Sequence, residues 1–196
     1  MRKCDIEAGF WNGKHRNRRT SRGTSVIELM IAMSVVAIIL TLGVPSYSAV
    51  THKNKVNTAS SLLYTSLNVA RGEALKRRKS VRVCPSVDSV SCRNDGDWST
   101  GWLIFEDANA NNSPEAPEII RLVESMENGV GIEVSDSIED YLQFEPSGVA
   151  TGNSGNTGEF RICHSDSGAA SQALRISAAG HVEHETRNLT NCSAAG

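Results

Sequence analysis

The stretch Arg22-Gly23-Thr24-Ser25-Val26-Ile27-Glu28-Leu29-Met30-Ile31-Ala32-Met33-Ser34-Val35-Val36-Ala37-Ile38-Ile39-Leu40-Thr41-Leu42-Gly43-Val44-Pro45 decides how the rest of the chain is read. From Val26 to Val44 it runs 19 residues with one charge, Glu28. At about 1.5 Å of rise per residue, a helix of that length spans roughly 28 Å, close to the hydrocarbon thickness of a bilayer. The run is longer than the apolar core of an ordinary secretory signal, and Ser46-Tyr47-Ser48-Ala49 after it is a mediocre small-residue cleavage site. Ahead of the run, residues 1–23 carry seven Lys/Arg against Asp5 and Glu7, a net charge of +5. A basic stub before an apolar segment stays on the cytoplasmic side and orients the helix. The remaining 173 residues carry thirteen Lys/Arg against twenty Asp/Glu, a net charge of −7. An acidic body argues against a dedicated nucleic-acid binder.

Glu28 is the odd residue of the run. A carboxylate inside a membrane helix costs on the order of 2–3 kcal/mol, less near the helix end. Its short side chain has little reach toward the interface. Glu28 is therefore expected to meet a positive partner once buried, and a free α-amino group made by a cut just upstream would supply one.

Arg22-Gly23-Thr24-Ser25-Val26-Ile27-Glu28-Leu29-Met30 resembles the processing site of type IV prepilins and type II secretion pseudopilins. The resemblance implies that a prepilin peptidase cuts after Gly23 and that the new N-terminus, Thr24, is N-methylated. It also implies that Glu28, the fifth mature residue, pairs with the N-terminus of a neighbouring subunit during assembly. Thr24 departs from the family's commonest new N-terminus, Phe. In this family a proline at the distance of Pro45 curves the long helix, which implies a kink there. The residues alone also allow Pro45 to end the membrane helix.

Beyond Pro45 the pattern turns amphipathic. Val56, Ala59, Leu63, Leu67, Ala70 and Ala74 recur at spacings of three and four, the mark of one helix face. The reading is one helix from about Thr24 to Arg78, bent at Pro45, with that stripe packed on a head. From Ser80 short β-like runs follow: Val81–Cys84, Trp102–Phe105, Ile119–Val123, Val130–Val134, Tyr141–Phe144, Phe160–Cys163, Ala173–Ile176 and His181–His184. Turn-rich stretches such as Asn109–Asn112 and Gly152–Asn156 separate them. The expected fold is α+β, a long kinked N-terminal helix packed on an antiparallel β-rich head. The expected divisions are a cleaved leader at 1–23, a membrane or filament-core half-helix at 24–44, an amphipathic half-helix at 45–79 and a periplasmic head at 80–196.

Further motifs resemble one branch of the family, the FimT/GspH group of minor pilins and pseudopilins. They are Ala70-Arg71-Gly72-Glu73-Ala74, Cys84-Pro85-Ser86, the strand from Trp98 to Phe105, the Asp/Asn hairpin from Asp107 to Arg121, the turn Phe144–Gly148 and the strand end Ile176–Gly180. The resemblance covers about Arg22 to Val182. It implies a pilin-like subunit anchored in the inner membrane by a single pass, with its head in the periplasm, and later part of a pilus or pseudopilus. Implied partners are other major and minor pilins or pseudopilins, the prepilin peptidase and the inner-membrane assembly platform. Some FimT-like proteins bind DNA through Gly-Arg-x-Arg after the last Ile-Ser strand. Here that place reads Gly180-His181-Val182-Glu183, without either arginine.

The other candidate chemistry is weaker. Apart from Cys4 in the leader, Cys84, Cys92, Cys163 and Cys192 form an even set in the exported part, which suits two disulfides in an oxidising compartment. Cys84–Cys92 with Cys163–Cys192 is the expected pairing; the two alternative pairings are compatible with the sequence. Asp107, Asn109, Asn111 and Glu118 stand at positions one, three, five and twelve of a calcium-loop spacing. Asn112 replaces the usual glycine, two prolines interrupt the loop and strands flank it, so a hairpin tip without metal is expected. Cys163-His164-Ser165-Asp166 lacks the geometry of a nucleophile and base, and no catalytic residue or cofactor is expected. Arg71, Lys76, Arg77, Arg78, Lys79 and Arg82 collect at the helix end, where cations oppose the helix dipole favourably.

Overall fold

The computed structural model describes residues 23–126, 129–165 and 167–185; for 41–46 and 167–170 it describes the backbone only. Among the described residues one α-helix, α1, runs Val26–Arg77, and nine strands follow: β1 (Val81–Pro85), β2 (Trp102–Glu106), β3 (Ile119–Val123), β4 (Val130–Val134), β5 (Leu142–Phe144), β6 (Ala150–Gly152), β7 (Gly158–His164), β8 (Ser167–Ile176) and β9 (Val182–Glu185). The described residues fall into two compact units, one ending at Leu42 and one beginning at Gly43, and α1 contributes to both. The fold is α+β, as expected.

In the second unit the stripe Val56, Ala59, Leu63, Leu67, Ala70 and Ala74 is buried in the main core. Leu63 and Leu67 are fully covered, so truncating either to Ala would cost about 2–5 kcal/mol. Small residues at 70 and 74 keep the last turns of the helix close to the sheets. The helix closes at Arg78, which takes φ +56° and donates its backbone N–H to Ala74 O at 2.9 Å. That is the left-handed stop usually given to glycine.

The strands make two antiparallel sheets, ordered β3-β2-β1-β5-β6 and β4-β7-β8-β9. Alternation explains which side chains enter the core. Val81 and Val83 of β1 face it with Ile104, Leu142 and Phe144, while Phe160, Ile162, Leu174 and Ile176 face it from the second sheet. Trp98 seals one end: its ring meets Phe160 edge-on at 4.9 Å and its Nε1–H donates to Glu139 O at 2.9 Å. The opposite face of β1 is covered as well. Cys84, Leu103 and Phe105 form a second small core there with Cys92 and Tyr141.

Seven of the expected strands both begin and end within three residues of the observed ones. The eighth, Ala173–Ile176, is the end of a strand that starts at Ser167. Strand β6 was not expected, because Ala150-Thr151-Gly152 has no β-branched run. It pairs as a hairpin with the preceding β5, with Leu142↔Gly152 and Phe144↔Ala150. Gly152 is required there, since a Cβ would lie 2.2 Å from Ser137 O.

Candidate functional site

The junction singled out in the sequence lies in the first unit. Gly23, Thr24 and Ser25 are non-helical, and α1 begins at Val26. Ser25 O accepts the Leu29 N–H at 3.1 Å, so Ser25 is the residue that opens the helix. Glu28 is exposed and sits in the first turn, where the partial positive charge of the helix end favours a carboxylate. Ser25-Val26-Ile27-Glu28 has the spacing of a capping box. The sequence carried that signal, and the reading that fixed on Glu28 alone missed Ser25.

A side chain at Gly23 would meet nothing within 4 Å. The fold therefore places no demand for glycine at 23. Any such demand comes from something outside the chain that must approach the backbone closely.

All eleven large apolar side chains between Val26 and Leu40 are 48–77% exposed. They point to every side of the helix. An all-round apolar helix is stable in water only when something covers it. Among the described residues no helix is long and apolar enough to cross a membrane. The last part of the 19-residue apolar run lies at 41–44, where side chains are not described. The helix continues through Pro45 rather than stopping there.

In the head, the basic cluster is largely dispersed into structural roles. Arg71 donates Nε–H to Gly148 O and Nη2–H to Ala179 O, both at 3.2 Å. Arg77 bridges Glu73 and Glu106. The Arg77 hydrogen bond, followed by Lys76, holds the Glu73 carboxyl below its usual range. Arg82 is almost covered, with its guanidinium bonded to Gln143 and Asn112 and lying 4.1 Å over the Tyr141 ring. Burial lowers its pKa. Apart from Glu73, these partners lie far along the chain on later strands and turns, so the local charge count could not show them.

Cys84 and Cys92 form a disulfide with Cα atoms 5.6 Å apart. The loop between them is organised by Asp88, which accepts hydrogen bonds from the Ser91 hydroxyl and from the Val90 and Ser91 amides. Cys163 is buried on β7; Cys192 lies outside the described residues. Next to Cys163, His164 is also buried and stacks on His52 with ring centroids 3.8 Å apart. Asp166, the last member of that sequence cluster, lies outside the described residues. His181 and Glu183, at the place of the DNA-binding motif, are both exposed. Among the described residues no three His, Cys, Asp or Glu side chains converge on a metal position.

Residues 59–180 match the family model described as type II transport protein GspH. The chain belongs to the GspH family. No curated protein matches it in sequence. Among solved structures, it is similar to the crystal structure of the type IV minor pilin FimU of Pseudomonas aeruginosa PAO1, with 22% identity and a TM-score of 0.53 over 69% of this chain and 92% of FimU. A second crystal form of FimU gives 21% identity and a TM-score of 0.51, over 66% of this chain and 92% of that one. The minor pseudopilin EpsH of the Vibrio cholerae type 2 secretion system is also found, at 10% identity and a TM-score of 0.48, over 67% of this chain and 96% of EpsH. The family reading drawn from residues 22–182 is borne out, as is the pilin-like fold class.

Proposed function

We infer that this GspH-family chain is a minor pilin, a structural subunit that helps initiate or cap a type IV pilus. The carrying observation is the helix from Val26 to Leu40, apolar on every side, uncovered, and bearing one carboxylate in its first turn. Such a helix needs an apolar surrounding twice: lipid before assembly, and neighbouring helices of the same kind afterwards. The precursor is cut after Gly23 by the prepilin peptidase, and Thr24 is N-methylated. Glu28 then neutralises a neighbour's α-amino group within the filament core. Pro45 bends the helix between its core half, 24–44, and its head-bound half, 45–79. The chain waits in the inner membrane as a single pass, head in the periplasm, on the assembly platform. Its partners are other major and minor pilins.

The disulfides suit that compartment. Cys84 and Cys92 hold each other, Cys4 departs with the leader, and Cys192 is the proposed partner of Cys163.

A second reading, a pseudopilin of a type II secretion system, draws on the description of the matching family model. DNA uptake is the weaker reading, because His181 and Glu183 stand where arginines would contact phosphate.

Intact-mass and N-terminal sequencing of protein extracted from membranes tests the main reading. The mature chain should begin at methylated Thr24 when the peptidase is present and at Met1 when it is absent. A Met1 start with active peptidase would overturn it. Co-purification with pilus rather than secretion components separates the first two readings.

A further inference from the structure

Strand β3 ends its sheet with a backbone that the head does not complete. It stands first in the order β3-β2-β1-β5-β6 and pairs with β2 alone. Among the described residues no further backbone hydrogen bond reaches Ile119–Val123. Alternate N–H and C=O groups along it therefore point outward without a partner. The other end of the same sheet is treated differently: β6 donates its Ala150 N–H to Ala178 O at 3.2 Å and its Gly152 N–H to Gly155 O at 2.8 Å. An open edge is ordinarily blunted by charges, proline or brevity. β3 carries one charge, Arg121, among Ile119, Ile120, Leu122 and Val123, and Leu122 is 39% exposed. A strand of that composition is a liability in an isolated head and a template for one more strand.

Two cavities flank the end of this strand and share Val123, Glu124 and Ser125. One, of about 240 Å³, opens toward α1, with Ala59, Leu62, Met126 and Val130 in its wall. The other, of about 430 Å³, lies beside the Cys84–Cys92 loop against Val87, Thr100 and Leu122. Successive side chains of a strand point to opposite faces of its sheet. A segment laid along β3 would therefore set neighbouring side chains into opposite cavities. In strand addition the main-chain bonds supply affinity and such pockets select the sequence.

Arg121 sets the chemistry of the partner. It is half-buried, stands across from Ile104 of β2, and among the described residues has no hydrogen bond or ion pair. A second copy paired β3 against β3 about its middle residue would bring two Arg121 side chains together, and like charges directly opposite are destabilising. A strand with a carboxylate at that place and apolar residues beside it turns the repulsion into an attraction and covers Leu122 as well.

We propose that β3 is a docking edge, which accepts by strand addition an extended apolar segment carrying an Asp or Glu opposite Arg121. That the segment belongs to another pilin subunit rests on the minor-pilin reading; the edge and its selectivity do not.

A fluorescein-labelled peptide, Ser-Val-Val-Glu-Val-Val-Ser, titrated onto the full chain in detergent and followed by anisotropy, tests it. Binding should saturate, and amide hydrogen exchange across β3 should slow when the peptide is added. The same peptide with Lys in place of Glu should bind at least about fivefold more weakly. Arg121→Glu should reverse that preference, a swap that loss of the fold would not produce. Leu122→Lys, at an exposed position, should unfold at the parent's temperature and bind the Glu peptide more weakly. No saturable binding, equal binding of the two peptides, an unreversed preference in folded Arg121→Glu, or protection of another strand instead would each overturn the edge. A dimer of the parent that Leu122→Lys dissolves would put a second copy there and overturn it too. A mature chain that begins at Thr24 and binds neither peptide overturns the edge and leaves the minor-pilin reading standing. Selective peptide binding by a chain that keeps Met1 in the presence of the peptidase upholds the edge and overturns that reading.

Discussion

Gly180 lies directly against Gly148: a Cβ added to Gly180 would sit 2.0 Å from the Gly148 carbonyl oxygen. Both glycines have positive φ, +73° and +82°. Arg71 of α1 reaches across to the same carbonyl and to Ala179 O. Three motifs far apart in the chain, the helix end at 70–74, the turn at 144–148 and the strand end at 176–180, therefore meet at one point. Gly180→Ala should destabilise the head by about 2 kcal/mol or more, from backbone strain plus the close approach. Arg71→Lys should not restore what Arg71→Ala loses, since one ammonium cannot reproduce a fork aimed at two carbonyls. Thermal unfolding of the three variants checks both; a neutral Gly180→Ala would refute the contact.

This meeting point also marks how far the sequence could be read. The helix stripe from Val56 to Ala74 and most strands were legible because periodicity is local. The motifs were visible, but their convergence was not, since it depends on which turns the two sheets bring together. β6 was missed for a different reason: it pairs in a hairpin with nearby β5, but Ala150-Thr151-Gly152 is too short and small to signal a strand, and its further tie, Ala150 N–H to Ala178 O, lies far along the chain. The basic run at 71–82 reads in the sequence as cations that favour the helix end; its further ties, Arg71 to Gly148, Arg77 to Glu106 and Arg82 to Gln143, lie on later elements and were not legible there.

At the junction, glycine and glutamate should separate cleanly. Because a side chain at Gly23 meets nothing, Gly23→Leu should leave the head's unfolding temperature unchanged. It should nevertheless accumulate as unprocessed precursor on immunoblots. Normal processing of Gly23→Leu would sink the cleavage assignment, and a lowered unfolding temperature would sink the argument that the fold is indifferent.

Glu28→Ala should be processed and membrane-inserted yet recovered poorly in sheared filaments. Glu28→Gln should behave alike if the charge is what matters, because the amide keeps the size and loses the ion pair. Full incorporation of Glu28→Gln would show that the carboxylate's charge is dispensable.

The Asp88 loop gives a pH prediction. Hydrogen bonds from the Ser91 hydroxyl first, then from the Val90 and Ser91 amides, hold the Asp88 carboxyl far below its ordinary value of 3.8. A depressed folded-state pKa contributes stability that is present above the unfolded value and lost as pH falls through the folded one. The difference in unfolding temperature between the parent and Asp88→Asn should therefore stay constant from pH 7 to about 4 and shrink only below that. A difference that vanishes between pH 7 and 5 would contradict the loop network.

The disulfides make the last prediction. Cys84–Cys92 closes a short loop on the outer face of β1, where both cysteines join Leu103, Phe105 and Tyr141. Its removal withdraws a constraint from the unfolded chain, worth roughly 2–4 kcal/mol, and loosens that small core. Cys163 sits at the buried end of β7, so a bridge to Cys192 would draw the tail beyond β9 back to the second sheet. Cys84→Ser/Cys92→Ser should lower the unfolding temperature and free the Val87–Val90 loop to proteolysis. Cys163→Ser/Cys192→Ser should expose the tail to carboxypeptidase with the first bridge intact. Non-reducing peptide mapping decides the pairing: a peptide joining Cys84 to Cys163 would overturn both assignments, and four free thiols in exported protein would overturn the oxidising-compartment argument.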